Sequence, residues 1–243
     1  MSIRLPRLGA DPDATFPPAQ LALRVPDGLL AMGGDLHPRR LLNAYRNGIF
    51  PWYGEGQPIL WWSPDPRWVF DTAHFRLATR FRRELRHSRW QITVDRDFAA
   101  VIATCARIPR KGQDGTWITP AMMQAYLSLH RAGHAHSIEV RDGEHLVGGL
   151  YGVRIGRMFF AESMFSAVSG GSKVALAALA RRLAQWHWPL IDAQMENPHL
   201  RLLGAQPLPR TQFLQAIAPL VAAQPEPAAF AEAFGVVPAR QLA

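Results

Sequence analysis

Apolar residues recur with helical spacing in a segment that is also rich in arginine. Leu77, Phe81 and Leu85 lie four residues apart, which is the spacing of a helix that buries one stripe of side chains. Arginines occupy both flanks of this stripe, so we predict a charged helix over 76–89. They are Arg76, Arg80 and Arg83 on one flank and Arg82, Arg86 and Arg89 on the other.

The first seventy residues lack such a period. Pro, Gly and Trp are frequent there, which predicts short elements separated by turns. One helix is predicted from Pro38 to Asn47, ended by Gly48. The change in pattern predicts a small Trp/Pro/Gly-rich domain over 1–70 and a larger domain over 71–243.

Strands and helices follow one another in the larger domain. Asp142-Gly143 is a two-residue hairpin signal between two alternating runs. The predicted strands are 91–95, 136–140, 144–153, 157–165 and 189–195. The predicted helices are 97–107, one from Thr119–Pro120 to Gly133, one that begins at SGGSK (169–173), 198–203 and 211–218. The tail after about 221 is rich in Ala and Pro and is predicted to be held loosely.

The predicted order is helix, helix, hairpin, strand, helix, strand, as in an N-acyltransferase domain of the acetyltransferase superfamily. We therefore predict the α+β class, with an acetyltransferase-like mixed sheet flanked by helices. This assignment is an analogy of fold, and fold alone does not define function.

Charge changes this picture by pointing to an anionic partner. The chain has 243 residues and a formal net charge of +8. Of its 27 basic residues only Lys111 and Lys173 are lysines, and arginine donates bidentately to phosphate. A GC-rich genome would also explain the ratio of arginine to lysine, although it would not explain the net charge.

The cysteine count and the N-terminus bear on location. Cys105 is the one cysteine, so an intrachain disulfide is excluded, and its apolar surroundings predict a core residue rather than a nucleophile. The N-terminus lacks the apolar stretch of a signal peptide, and no run has the length of a membrane span. We expect a cytoplasmic protein that does not bind a membrane.

Three polar residues interrupt otherwise apolar strands. In LIDAQ (190–194), alternation places Asp192 and Gln194 on one face, where they either form a site or an internal hydrogen-bonded pair. Glu162 shares a predicted face with Phe160 and Met164, so it needs a cation or has a raised pKa. From spacing alone, an arginine of the protein itself is the simpler partner for Glu162.

Other candidate sites give weaker signals. SGGSK at a helix start could bind an anion through backbone N–H groups, although many helices begin this way. The arginines of 76–89 either follow a phosphate backbone or form a solvated face. His130, His134 and His136 are close in sequence but lack the ligand spacing of a zinc site, so solvated or hydrogen-bonded histidines are expected and no metal.

Several unusual sequence blocks occur in order over about residues 16–210. They are PDGLLAMGGDL (26–36), NGIFPWY (47–53), PILWWSPDPR (58–67), GTWIT (115–119), GHAHSIEV (133–140), LVGGLYGV (146–153), ESMFS (162–166) and LIDAQ (190–194). With these blocks the chain resembles the bacterial leucyl/phenylalanyl-tRNA–protein transferase family.

The resemblance implies a small N-terminal α/β domain packed on an acetyltransferase-like catalytic domain. Such enzymes use no coenzyme A or other cofactor. They transfer Leu, Phe or, less well, Met from aminoacyl-tRNA to proteins that begin with Arg or Lys, which marks the acceptor for degradation by the N-degron pathway. The partners implied are Leu-tRNA, Phe-tRNA and these acceptors, and we expect a monomer.

The resemblance also assigns roles to individual residues. Trp52 and Trp117 would hold the terminal adenosine of the tRNA. The transferred side chain would meet an apolar pocket, and an arginine-rich helix would meet the acceptor stem. The pocket residues are Leu150, Phe159, Ala161 and Ile191, and the helix residues are Arg76, Arg80, Arg82, Arg83 and Arg86. The family often has Met at the position of Leu150, a difference that keeps the pocket apolar and of similar volume, and Gly at that of Ala161, which here adds a methyl group beside Glu162.

Glu162, Asp192 and Gln194 would lie at the reacting groups. We expect Asp192 to orient Gln194, and the pair to position the acceptor amine and assist its deprotonation. Two other functions fit parts of the sequence. An acetyl-CoA-dependent N-acetyltransferase would share the fold but needs an RxxGxG/A loop, which we do not find, and a non-catalytic RNA-binding protein would leave the three polar residues without a chemical role.

Overall fold

The computed structural model describes residues 5–108 and 116–243. The strands are β1 (Arg7–Leu8), β2 (Leu29–Gly33), β3 (Phe50–Pro51), β4 (Leu60–Trp62), β5 (Arg67–Asp71), β6 (Gln91–Val94), β7 (Ala135–Asp142), β8 (His145–Ile155), β9 (Met158–Ser166), β10 (Leu190–Gln194), β11 (Gln206–Leu208) and β12 (Val237–Pro238). The helices are α1 (Pro38–Arg46), α2 (Thr79–Leu85), α3 (Phe98–Arg107), α4 (Pro120–Arg131), α5 (Gly171–Gln185), α6 (Pro198–Leu202), α7 (Arg210–Ala222) and α8 (Phe230–Phe234).

Two mixed sheets organise these elements. The smaller has the order β1-β2-β4-β3 and the larger the order β11-β5-β10-β9-β8-β7-β6-β12. Most neighbours in the larger sheet are antiparallel, but β9 and β10 are parallel. The predicted α+β class is confirmed, and the acetyltransferase-like assignment stays a prediction. The division at residue 70 also stays a prediction, and β5 joins residues 67–71 to the larger sheet.

Apolar clusters cover both faces of the large sheet. One cluster joins α5 to Leu150, Phe159 and Ile191 of the central strands. The other joins the small sheet, α1, α3, α4 and α7 to the opposite face, and it includes Tyr151 and Phe160. Alternate residues of β8 and β9 thus enter opposite cores, as the strand period requires. Cys105 lies in the second cluster and is 1% exposed, which confirms a core position.

Local capping signals explain where the helices begin. The Thr119 side chain accepts a hydrogen bond from the Met122 N–H, with Pro120 at the first helical position. The Asp97 side chain caps α3 in the same way, at 2.9 Å from the Ala100 nitrogen. The predicted hairpin is confirmed, since Asp142 pairs with His145 across the turn that contains Gly143.

The arginine-rich helix is shorter than predicted. It spans Thr79–Leu85, so Arg76 precedes it and Arg86 is its C-cap. The Arg76 guanidinium donates to the carbonyl oxygens of Ala73 and Phe75, both at 2.8 Å, and so stabilises a turn in place of a first helical turn. The apolar stripe remains, because Leu85 is buried and Leu77 and Phe81 pack against the same core.

The tail after residue 221 is packed, so the expectation that it is held loosely is wrong. Phe230 and Phe234 are 2% and 1% exposed, and Val237 pairs with Ile92 of β6. The physical reason is the spacing of two phenylalanines four residues apart, which gives the short α8 an apolar face. The alanine and proline content obscures this pattern in the sequence.

Candidate active site

The parallel pair β9 and β10 separates at its carboxyl end. Their last paired residues are Asp192 and Phe160, and Glu162 and Gln194 each lie two residues further on. The Gln194 Nε2 donates to Glu162 Oε1 at 2.7 Å and bridges the gap. Two side chains from distant segments therefore meet where the main-chain pairing stops.

Strand irregularities place both side chains. The pairing of β8 with β9 skips Glu162, which is a bulged residue between Ala161 and Ser163. Glu162 was expected to share one strand face with Phe160 and Met164. This expectation is wrong, because the bulge sends Phe160 and Met164 into different apolar clusters. In β10 the predicted alternation is confirmed for Ile191 and Ala193, which both lie in the cluster that contains α5.

Asp192 forms a buried ion pair instead of facing solvent. Its two carboxylate oxygens accept from Arg67 Nε at 2.8 Å and Arg67 Nη2 at 2.6 Å, and both side chains are at most 1% exposed. Arg67 also donates to the Gly48 carbonyl oxygen at 3.0 Å. Its guanidinium lies between the rings of Phe50 and Phe213, at 4.7 and 4.8 Å from their centroids.

This ion pair fixes the backbone of Gln194. Asp192 Oδ1 also accepts from the Gln194 N–H at 2.9 Å. Gln194 has a φ of 64°, a conformation that is costly for a residue other than glycine and needs such support. Asp192 thus orients Gln194 through its main chain, while the Gln194 side chain is held by Glu162.

Glu162 lies in a network of hydroxyl and amide groups. Its Oε1 lies 2.7 Å from the Tyr45 hydroxyl oxygen and its Oε2 lies 2.7 Å from that of Tyr126, and Oε1 accepts from Gln194. Within the described part of the chain no basic side chain forms an ion pair with it, so the expected arginine partner is not found. Burial is the main cause that raises the pKa of Glu162 to about 7, and its hydrogen bonds oppose the shift.

A cleft of about 730 Å³ opens beside this network. Its wall is apolar at Phe70, Leu150 and Ala161, and polar at Glu162 and Gln194. The start of α5 forms another side through Ser169, Gly170, Ser172 and Lys173, so the SGGSK segment does face a cavity. His199 and Asn197 complete the rim on the side of α6.

The described residues that line this cleft do not include the other predicted site residues. Phe159 and Ile191 are fully buried behind it, where they pair with each other across β9 and β10. Trp52 and Trp117 are half-buried against the cluster that contains the small sheet. The first residue of the GTWIT block lies outside the described residues. Asp192 is buried beneath the lining.

The predicted arginines are exposed on and around α2. This helix reaches the cleft through Phe81, which lies against Gly170 and beneath Lys173, whose Nζ is 5.6 Å from the ring centroid. Arg80 is paired with Glu84 at 3.2 Å. The arginine surface and the cleft are therefore adjacent.

Sequence reasoning missed Arg67, Tyr45 and Tyr126. Arg67 stands at the end of the WWSPDPR block, and helical spacing places Tyr126 only on the core face of its helix. No periodic signal marks a tyrosine whose hydroxyl reaches a strand far away in sequence. The expected hydrogen bonds are found for two of the three histidines, since His136 bonds Asp95 at 2.6 Å and His130 bonds the Ala135 carbonyl at 2.8 Å. The described residues contain no group of three or more possible metal ligands.

Comparison with known proteins places this site in a family. Residues 69–218 match the family described as leucyl/phenylalanyl-tRNA protein transferase, and residues 34–65 match its N-terminal domain. A leucyl/phenylalanyl-tRNA–protein transferase of Xanthomonas axonopodis pv. citri (strain 306) is 63% identical over 97% of this chain and 94% of its own length. One from Xylella fastidiosa (strain 9a5c) is 57% identical over 97% of both chains.

The chain is therefore an aminoacyltransferase. It belongs to the leucyl/phenylalanyl-tRNA–protein transferase family, and the resemblance of its sequence blocks is confirmed. No helix within 5–108 or 116–243 has the length and apolar character needed to cross a membrane.

Proposed function

We propose that this protein transfers Leu or Phe, and Met less well, from aminoacyl-tRNA to the N-terminal Arg or Lys of acceptor proteins. A peptide bond forms, and the product is marked for the N-degron pathway. The observation that carries this proposal is the bridge from Gln194 to Glu162 at the mouth of an apolar cleft, in a chain of this family. The enzyme acts in the cytoplasm as a monomer and without a cofactor.

The reaction requires alignment more than strong acid or base chemistry. An ester is exchanged for an amide, so the reaction runs downhill without ATP. Holding an amine against the ester carbonyl can supply roughly 7–11 kcal/mol in favourable cases. An α-amine has a reference pKa of about 7.7–8.0, so part of it is already neutral near pH 7. Gln194 and Glu162 are the polar groups that would position this amine.

Asp192 acts in this proposal as a positioning residue. Both of its oxygens are engaged by Arg67 and the Gln194 N–H, and its side chain is 0% exposed. It therefore fixes Gln194 without contact with the amine. Glu162 is left as the carboxyl group that lines the cleft, and it would favour a cationic acceptor residue.

The apolar side of the cleft would hold the transferred side chain. Leu150 and Ala161 line it, while Phe159 and Ile191 support it from behind. A purely apolar pocket separates side chains that differ by one methylene by only about 1–3 kcal/mol. Leu, Phe and Met should therefore be accepted to different extents, and the β-branched Val and Ile should be poor.

Pocket volume can be tested at Ala161. We expect Ala161→Leu to lower kcat/KM for Phe-tRNA at least about tenfold and for Leu-tRNA less, because added methyl groups compete with the larger ring. Ala161→Gly is the matched control, and it should change kcat/KM for the two aminoacyl-tRNAs by similar small factors. Equal losses for Leu and Phe in Ala161→Leu would place the donor side chain elsewhere.

The half-buried Trp52 and Trp117 would stack on the terminal adenosine, and the arginines near α2 would meet the acceptor stem. We expect the triple variant Arg82→Gln, Arg83→Gln, Arg86→Gln to weaken tRNA binding about tenfold or more in 0.1 M salt. The slope of log K against log salt should fall by roughly 0.7–0.9 for each tRNA phosphate that the variant no longer neutralises.

A charge-matched triple variant at the exposed Arg7, Arg24 and Arg131 controls for net charge. Filter binding or fluorescence anisotropy with labelled tRNA measures both triples. Equal losses in the two triples would show a non-specific effect of net charge and would remove α2 from the proposal.

The activity itself is tested with purified protein, radiolabelled Leu-tRNA and two peptides that differ only in beginning with Arg or Ala, without ATP or coenzyme A. Label on the Arg peptide alone is expected. Intact tRNA with neither peptide labelled, while a known transferase is active in parallel, would contradict the proposal. A coenzyme A titration would then test the N-acetyltransferase alternative, and tRNA binding without transfer would favour the RNA-binding one.

A further inference from the structure

Three side chains beside the cleft form a closed ring through four oxygen atoms, the two carboxyl oxygens of Glu162 and the hydroxyls of Tyr45 and Tyr126. The Tyr45 and Tyr126 hydroxyl oxygens lie 2.6 Å apart, and they lie 2.7 Å from Glu162 Oε1 and Oε2, respectively. Both tyrosines are 0% exposed. Each of these three distances is within the normal range for an O–H···O hydrogen bond, so each contact requires one hydrogen.

The tyrosines alone cannot supply three hydrogens. Burial and the nearby Glu162 raise the pKa of both hydroxyls well above the usual value, so each keeps its single hydrogen at neutral pH. If Glu162 were a carboxylate, both hydroxyls would donate to it. The Tyr45–Tyr126 contact would then place two oxygens at 2.6 Å with no hydrogen between them, which is repulsive.

One additional proton on Glu162 satisfies every contact. Glu162 Oε2 then donates to Tyr126, Tyr126 donates to Tyr45, and Tyr45 donates to Glu162 Oε1. Oε1, which carries no hydrogen, also accepts a hydrogen bond from Gln194 Nε2. The ring is therefore complete only with a neutral carboxyl group.

The other buried carboxylates have a different environment. Asp192 has Arg67 at 2.6 Å and Glu139 has Arg141 at 2.8 Å, and both carboxylates are 0% exposed. Glu162 has two phenols and an amide in place of an arginine. The protein thus pairs these two fully buried carboxylates with cations and surrounds the half-buried Glu162 with neutral donors.

We propose that Glu162 carries a proton in the resting protein, that Tyr45 and Tyr126 position this proton, and that a cationic acceptor residue displaces it on binding. The last part rests on the proposed function. A cation beside Glu162 favours the carboxylate, so the proton leaves for solvent and the charge pair forms. Binding of a peptide that begins with Arg is then coupled to the release of one proton. A peptide that begins with a neutral residue forms no charge pair with Glu162 and releases no such proton.

Other titratable and charged groups lie near the ring. Tyr151 of β8 lies edge-on to Tyr126, with ring centroids 5.4 Å apart, and the charge of Asp192 raises the pKa of Glu162 further. Across the cleft stand Lys173 of α5 and His199 of α6. Burial and the charge of Lys173 lower the pKa of His199.

The resting proton is tested without substrate by infrared spectroscopy. The difference between wild type and Glu162→Gln should contain a neutral carboxyl band at pH 6 that disappears with a midpoint near pH 7. Neutron diffraction at pH 6 should show one deuterium on Glu162 and one between the two tyrosine oxygens. Carboxylate bands alone at pH 6, or both tyrosine deuterons directed at Glu162, would overturn the proposal.

Proton displacement is tested by calorimetry at pH 6 in two buffers with different heats of ionisation. A peptide that begins with Arg should release about one proton more than the same peptide beginning with citrulline, its neutral analogue. Glu162→Gln should remove this difference. Equal release by both peptides would contradict displacement. A neutral carboxyl band in a protein without transfer activity would instead contradict the proposed function and leave the ring standing.

Discussion

Asp192→Ala is expected to lower the free energy of unfolding by about 3–5 kcal/mol, because it leaves the Arg67 guanidinium buried without its counter-charge. Turnover should fall much more than affinity for aminoacyl-tRNA, because the support of the Gln194 N–H is removed while the tRNA surface near α2 is unchanged. Denaturant unfolding and single-turnover transfer measure the two effects, with tRNA binding measured in parallel.

A paired replacement separates stability from positioning. Arg67→Met with Asp192→Leu removes both charges and fills their site with apolar side chains, so most of the missing stability should return. Turnover should remain low, because leucine cannot accept from the Gln194 N–H. If turnover recovered together with stability, Asp192 would serve only to neutralise Arg67. Normal turnover of Asp192→Ala itself would remove Asp192 from the mechanism.

Glu162→Gln is expected to change how stability depends on pH. The pKa of Glu162 is raised from 4.5 to about 7, so between these values the folded protein holds a proton that the unfolded chain has released. The contribution is fully present below the unfolded pKa and is lost as pH rises through the folded one. As the pH rises from 4.5 to 7, the free energy of unfolding of the wild type should therefore fall by about 3 kcal/mol relative to that of Glu162→Gln.

Chemical denaturation of both proteins at several pH values measures this difference. Because the two proteins share every other titratable group, subtraction isolates residue 162. Parallel stability curves across this range would show that Glu162 ionises normally in the folded protein. A difference that grows in the opposite direction would indicate a carboxylate stabilised by a cation.

Much of the architecture could be predicted from local patterns. Proline, threonine and aspartate at helix starts, and the Asp142-Gly143 turn, act within a few residues of their own position. Their effects are therefore visible in the sequence. The arginine-rich helix was partly predictable, but it begins later than expected, where Arg76 bonds the carbonyl oxygens of Ala73 and Phe75 instead of joining the helix.

The family and its polar candidates could also be named from the sequence, because rare blocks such as WWSPDPR and ESMFS mark them. The sequence alone determined that Glu162, Asp192 and Gln194 stand in apolar strands and need partners. It could not choose those partners, since residues in unrelated segments compete for the same role. Spacing predicts an arginine beside Glu162, yet the structure pairs the arginine with Asp192.

Only the tertiary structure decided how these groups are paired. Glu162 reaches Tyr45 and Tyr126 because a bulge in β9 turns it toward α1 and α4, and neither helix is near it in sequence. Side-chain alternation follows from the strand period, which is local, and so it could be predicted. Bulges, ion pairs and hydrogen-bond rings depend on which distant segments pack together, and that is decided by the fold of the whole chain.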